Sequence, residues 1–105
     1  MSVEHSVTVH LKLSDDGYGS ESERAAVYTL QDRLRTAIEA ASAGEYDGNE
    51  FGGGEAVLYA YGPQADGLFK AMESALREST LRPAFAIVRY GEPDDHECRQ
   101  EIIHL

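Results

Sequence analysis

The 105-residue chain has no tryptophan, one cysteine and three prolines. A lone thiol, Cys98, forms no disulfide within the chain, which fits a reducing, cytoplasmic setting. No apolar run is long enough to cross a bilayer, so no membrane role is expected. The opening Met-Ser-Val-Glu-His-Ser-Val7 has no basic region or apolar core, so export is not expected. Positive charge is scarce too. Nine Lys and Arg face nineteen Asp and Glu, for a net charge of −10. That excess repels nucleic acid and anionic membranes, and favours solubility, basic partners or cations. Lys12 and Lys70 are the only lysines; with many alanines and glycines, this bias suggests a GC-rich bacterial genome.

What is present is ordinary globular composition: 42% hydrophobic and 27% charged residues. The length predicts one domain over 1–105 with a real core. Ser6 to Leu13 alternates strictly, with Val7, Val9, Leu11 and Leu13 on one side and His10 and Lys12 on the other. Period two predicts a half-buried strand with one wet face. Ser20 with Glu23 forms a capping box. Val27, Leu30, Leu34, Ala37, Ile38 and Ala41 then supply a helical stripe, so a helix is predicted over 21–43 with Gly44 as its left-handed stop.

Gly52-Gly-Gly54 between two strand-like runs predicts a hairpin, with Glu45–Phe51 as an acidic edge strand and Ala56–Tyr61 as a central one. Without the edge strand the core would reduce to βαβ-αββ. A phosphate cradle is rejected because no lysine or helix follows the glycines. Calcium-loop spacings at Asp15 and Asp47 fail because Gly17, Gly19, Phe51 and Leu58 occupy positions that need oxygen ligands. Gly62-Pro63 opens a second helix with Pro63 at its first position, carrying Ala65, Leu68, Phe69, Met72, Ala75 and Leu76 inward. Thr80 to Pro83 ends it. Strands follow at Phe85–Gly91 and, after an acidic turn, at Cys98–Leu105.

The order predicts an α+β fold: a ferredoxin-like βαββαβ sandwich, two helices on one face of an antiparallel sheet, with an added C-terminal strand. The string Glu45-Tyr-Asp-Gly-Asn-Glu-Phe-Gly-Gly-Gly-Glu55, the Leu58-Tyr-Ala-Tyr-Gly-Pro63 leading into Ala65-Asp66, and Arg89-Tyr-Gly91 resemble a group of small acidic bacterial proteins of unknown function with a ferredoxin-like core. The resemblance covers 44–91. It implies the topology and a bacterial source, and no activity.

Two candidate sites follow. The small residues Ala56, Leu58 and Ala60 fit beneath helices, which sends Val57, Tyr59 and Tyr61, with His10, to the open sheet face as a partner surface. The reverse assignment puts the tyrosines in the core. The loop geometry also brings Asp15, Asp16, Glu50 and Glu55 to one end of the sheet, near Arg82, as a possible cation site; Asp94 to Glu97 fall at the other end, toward Asp47. Carboxylate clusters are more often solvated loops, and no recognised ligand spacing is present. Neither a cofactor nor a catalytic residue is indicated. Cys98 with His96 is the one nucleophile–base pair in sequence reach, and its acidic neighbours disfavour a thiolate. The expected function is a non-enzymatic protein-interaction module, a homodimer or a binder of a basic partner. A small-ligand or divalent-cation regulatory domain is the alternative, and a Cys/His enzyme a remote second.

Overall fold

Alternating apolar residues make the sheet, and two amphipathic stripes cover one side of it. The computed structural model describes residues 4–81, 84–92 and 95–105. In chain order the elements are β1 (His5–Lys12), α1 (Glu21–Ala40), β2 (Glu45–Gly52), β3 (Glu55–Gly62), α2 (Ala65–Glu78), β4 (Ala84–Arg89) and β5 (Gln100–His104). The strands form one sheet in the order β2-β3-β1-β4-β5, and every neighbouring pair is antiparallel. Both helices pack on one face. This is an α+β architecture, two helices on a five-stranded antiparallel sheet.

The core lies between helices and sheet. Val7, Val9, Leu58, Ala60 and Ala86 point up from the strands and are completely buried. Val27, Leu34, Ile38, Leu68, Met72 and Leu76 point down from the helices and are equally buried. Burying one such side chain contributes about 1.5–3 kcal/mol, so these positions dominate the stability of the fold. Alanines on β3 and β4 leave room for the larger helix side chains, which interdigitate as close packing requires. The edge strand β2 leans on α1 through Tyr46, whose hydroxyl donates to Gln31 at 3.0 Å, and through Phe51, whose ring meets Tyr28 edge-on at 5.9 Å.

The capping box forms as expected: the Glu23 amide donates to Ser20 Oγ, and Glu23 Oε1 accepts from the Ser20 amide. The Glu23 carboxylate also takes the amide and hydroxyl of Ser14, tying the β1–α1 loop to the helix start. These bonds, the Ser20 amide foremost, hold its carboxyl below the ordinary 4.5.

Two local expectations need correction. The left-handed residue that stops α1 is Ser42, at φ 50°, not Gly44. Its amide donates to Glu39 O and the Ala43 amide to Ile38 O, the paired bonds of a Schellman motif. Gly44 has another task. Its φ is +147°, and a Cβ there would overlap the Tyr61 carbonyl oxygen and lie 2.8 Å from the Gly62 Cα. The glycine lets the chain leaving α1 pass against the end of β3. Pro63, in turn, precedes the helix rather than opening it: the N-cap of α2 is Gln64, with no side-chain cap bond. His5 supplies one from a distance, its Nδ1 accepting the Ala65 amide at 3.0 Å.

Candidate functional site

The sheet face turned away from the helices is the feature with the most unassigned chemistry. Register sets its contents. Because side chains alternate along a strand, burying Val7, Val9 and Leu11 sends Ser6, Thr8, His10 and Lys12 to the other side. The antiparallel pairings then fix what lies beside them. One row across the sheet reads Glu50, Val57, His10, Phe85, His104. The next reads Gly48, Tyr59, Thr8, Ile87, Ile102. A third reads Glu45, Tyr61, Ser6, Arg89, Gln100. Among the described residues no helix or strand covers these rows. Val57, Tyr59, Tyr61, Phe85 and Ile87 are half-buried, and Ile102 stands 57% exposed.

Polar groups are pinned on this apolar floor. His10 stacks flat on Phe85, with ring centroids 4.7 Å apart and planes 5° from parallel. Its Nδ1 lies 3.2 Å from Glu55 Oε1. The Tyr59 hydroxyl donates to Glu50 at 3.1 Å. Burial first, and the Glu50 carboxylate second, raise the Tyr59 pKa; burial and then Asp47 and Glu4 raise that of Tyr61. Both phenols are therefore neutral donors at physiological pH. Arg89 Nη2 donates to the Asp95 carbonyl at 2.6 Å and to Cys98 Sγ at 3.2 Å, fastening the segment before β5.

A shallow hollow of 430 Å³ opens at the β2 side of the face, lined by Asp47, Gly48, Asn49, Glu50, Tyr59 and Tyr61. Its cause is a register shift between Tyr46 and Gly48, where Asp47 is the extra residue of a bulge. Gly48 leaves the floor empty: a Cβ there would meet nothing within 4 Å.

The structure thus brings together the partner-surface residues expected from sequence. Val57, Tyr59, Tyr61 and His10 share one face and two adjacent strands. It does not bring the four carboxylates into a ligand set. The 14–20 loop does meet the 52–54 hairpin, since the Gly54 amide donates to Gly17 O at 3.0 Å. Yet Asp15 turns inward to accept the Gly17 and Gly19 amides, which hold its pKa down, while Glu50 serves Tyr59 and Glu55 serves His10. Among the described residues, no group of three or more His, Cys, Asp or Glu side chains could hold a metal ion. Arg82 and Asp94, expected beside the two loop clusters, lie outside the described residues.

The sequence reading missed Gly48, Ile102 and His104 on this face. In sequence, Asp47-Gly48 only weakens the strand pattern of 45–51. The parity of the last strand could not be chosen until pairing with β4 set it. The signal available was the alternation Gln100, Ile102, His104, which needs only a register to orient it.

No protein-family model and no curated protein sequence matches the chain. Among solved structures, the chain is similar to Rv0793 from Mycobacterium tuberculosis, with a TM-score of 0.55 at 19% identity over 81% of this chain and 91% of that one. That likeness shows the fold alone. No helix of the described residues is long and apolar enough to cross a membrane.

Proposed function

We propose that this chain is a non-enzymatic protein-interaction module that works through its open sheet face, and that its first partner is a second copy of itself. We also assign it the ferredoxin-like arrangement with an added C-terminal strand, which the order β2-β3-β1-β4 with two helices on one side supports. The observation that carries the functional reading is the uncovered central row of Tyr59, Thr8, Ile87 and Ile102, bordered by Val57 and Phe85. Exposed apolar patches of this kind mark interaction sites. Five strands spaced about 4.8 Å apart and rising about 3.4 Å per residue give a face of roughly 500 Å². Two such faces together reach the ~1,000 Å² that a biological interface should clear. Sheets also pack readily face to face at about 10 Å, with their inward side chains forming a second core.

The charge of −10 supports a protein partner over nucleic acid. The reading assigns no catalytic role to His10, Tyr59 or Cys98, whose side chains bond within the fold to Glu55, Glu50 and Arg89. Sedimentation equilibrium tests the reading. A dimer is expected, and Tyr59→Glu combined with Ile87→Glu should yield a folded monomer. A wild type that stays monomeric into the high micromolar range sinks the self-association reading.

A further inference from the structure

Two identical sheets meeting face to face must be related by a two-fold axis lying in the interface. In the aligned class of sheet packing, the axis runs close either to along the strands or to across them. An axis along the strands keeps each row level with itself and reverses the strand order, so that β2 lies over the partner's β5 and β3 over its β4. An axis across the strands does the opposite: β2 covers β2, and the row of Glu50 meets the row of Glu45. β1 is the middle strand and faces its own copy either way. Resting on the self-association reading above, we infer that the axis runs along the strands.

Charge and shape both select it. The β2 side of the face is acidic, with Glu45, Asp47 and Glu50 along one edge strand. Laid over itself, that edge would bring six carboxylates together in a partly desolvated interface, and such like-charge juxtaposition is strongly unfavourable. Laid over the β4–β5 side, it meets Arg89, Gln100 and His104 instead. Glu50 then stands opposite the partner's His104, and Tyr61 opposite the partner's Arg89, a guanidinium over a phenol ring.

The shapes agree. The face has one tall apolar side chain at its β5 side, Ile102, and one empty floor at its β2 side, Gly48. Both lie in the same row. An axis along the strands drops each Ile102 into the other copy's hollow and sets Tyr59 on the partner's Ile87. An axis across them stacks Ile102 on Ile102 and leaves two hollows facing each other, unfilled. Packed sheets cross at about 30°, which moves the outer strands by less than the roughly 7 Å between rows. The pairing of edges therefore survives the twist.

Charge reversal reads the axis directly, because the two arrangements predict opposite signs. Sedimentation equilibrium at low ionic strength should find Glu50→Arg associating about tenfold more weakly than wild type, since a guanidinium replaces the carboxylate opposite the partner's His104, on the half of the face that also carries Arg89. His104→Glu should weaken association similarly, and the double variant should return to within about threefold of wild type. If Glu50→Arg instead associates more tightly or unchanged, the axis is wrong while the dimer stands. If wild type is monomeric, the underlying reading fails and the axis with it. Circular dichroism checks that each variant is folded, and both altered side chains are exposed.

Discussion

Gly44→Ala and Gly48→Ala form a matched pair that separates two reasons for a glycine. The residues have almost the same φ, +147° and +146°. Alanine at either pays for that conformation, a cost of about 1–3 kcal/mol. Only at Gly44 does the new Cβ also collide, with the Tyr61 carbonyl oxygen and the Gly62 Cα. The obstacle is backbone, so no rotamer change relieves it. The chain must retreat by about 1 Å or more to reach ordinary contact, breaking the pairing of Glu45 with Tyr61 at the start of β2. Losing one or two ladder bonds costs about 1–2 kcal/mol on top of the dihedral term. Gly44→Ala should therefore be about 2 kcal/mol less stable than Gly48→Ala, lowering Tm by roughly a further 8–16 °C. Against a total of about 5–15 kcal/mol for a domain of this size, that difference is large. Urea unfolding of both variants measures it, in an Ile102→Asp background so that association at the Gly48 hollow does not enter. Losses equal within about 0.5 kcal/mol would refute the close-approach argument and leave dihedral preference as the whole explanation.

Two pH predictions follow from hydrogen-bonded side chains. Burial pushes the Tyr46 hydroxyl up to about 12, and the bond to Asp66 together with burial raises Tyr90 to about 12. Raised phenol values mean the folded state holds its protons longer, so this stabilisation is complete below pH 10 and is lost as pH rises toward 12. Spectrophotometric titration should show late phenols that vanish on unfolding, Tyr46 and Tyr90 the latest with Tyr59 and Tyr61 also raised, and Tyr90→Phe should remove one of the latest two. Glu23 behaves in the opposite sense: its lowered pKa gives stability that is present above the ordinary 4.5 and is lost as pH falls through the folded value. Glu23→Gln should flatten the acid limb of a Tm–pH profile below that point, and an unchanged slope would count against the Ser14–Glu23–Ser20 linkage.

The sequence alone carried most of the architecture, because the determining signals were local. Strict alternation in β1 implied one covered and one open sheet face, and the helix stripes named the residues that cover it. Ser20 and Glu23 marked the start of α1 because a capping box is completed within four residues. Chain-stop signals were less legible. Gly44 and Pro63 carry the composition of helix punctuation, yet the actual stop is Ser42 and the actual cap comes from His5, sixty residues from Ala65. A cap supplied from another strand leaves no trace in local spacing.

For the candidate site, an argument of size favoured the open face for the tyrosines, since small residues on the opposite face of β3 fit under helices. The reverse assignment stayed open until the burial of Ala56, Leu58 and Ala60 decided it. The other half of the site could not be argued from sequence. Which side of β5 joins Tyr59 depends on pairing with β4, and a slip of one residue would send Ile102 and His104 to the helix face and Ile103 to the open one. The bulge at Asp47 likewise turns an unremarkable Asp-Gly into a hollow in the sheet. So local periodicity determined that this protein has an open face, and the register of distant strands decided what that face contains, since hydrogen bonds between strands, not neighbours in the chain, set which side chains stand side by side.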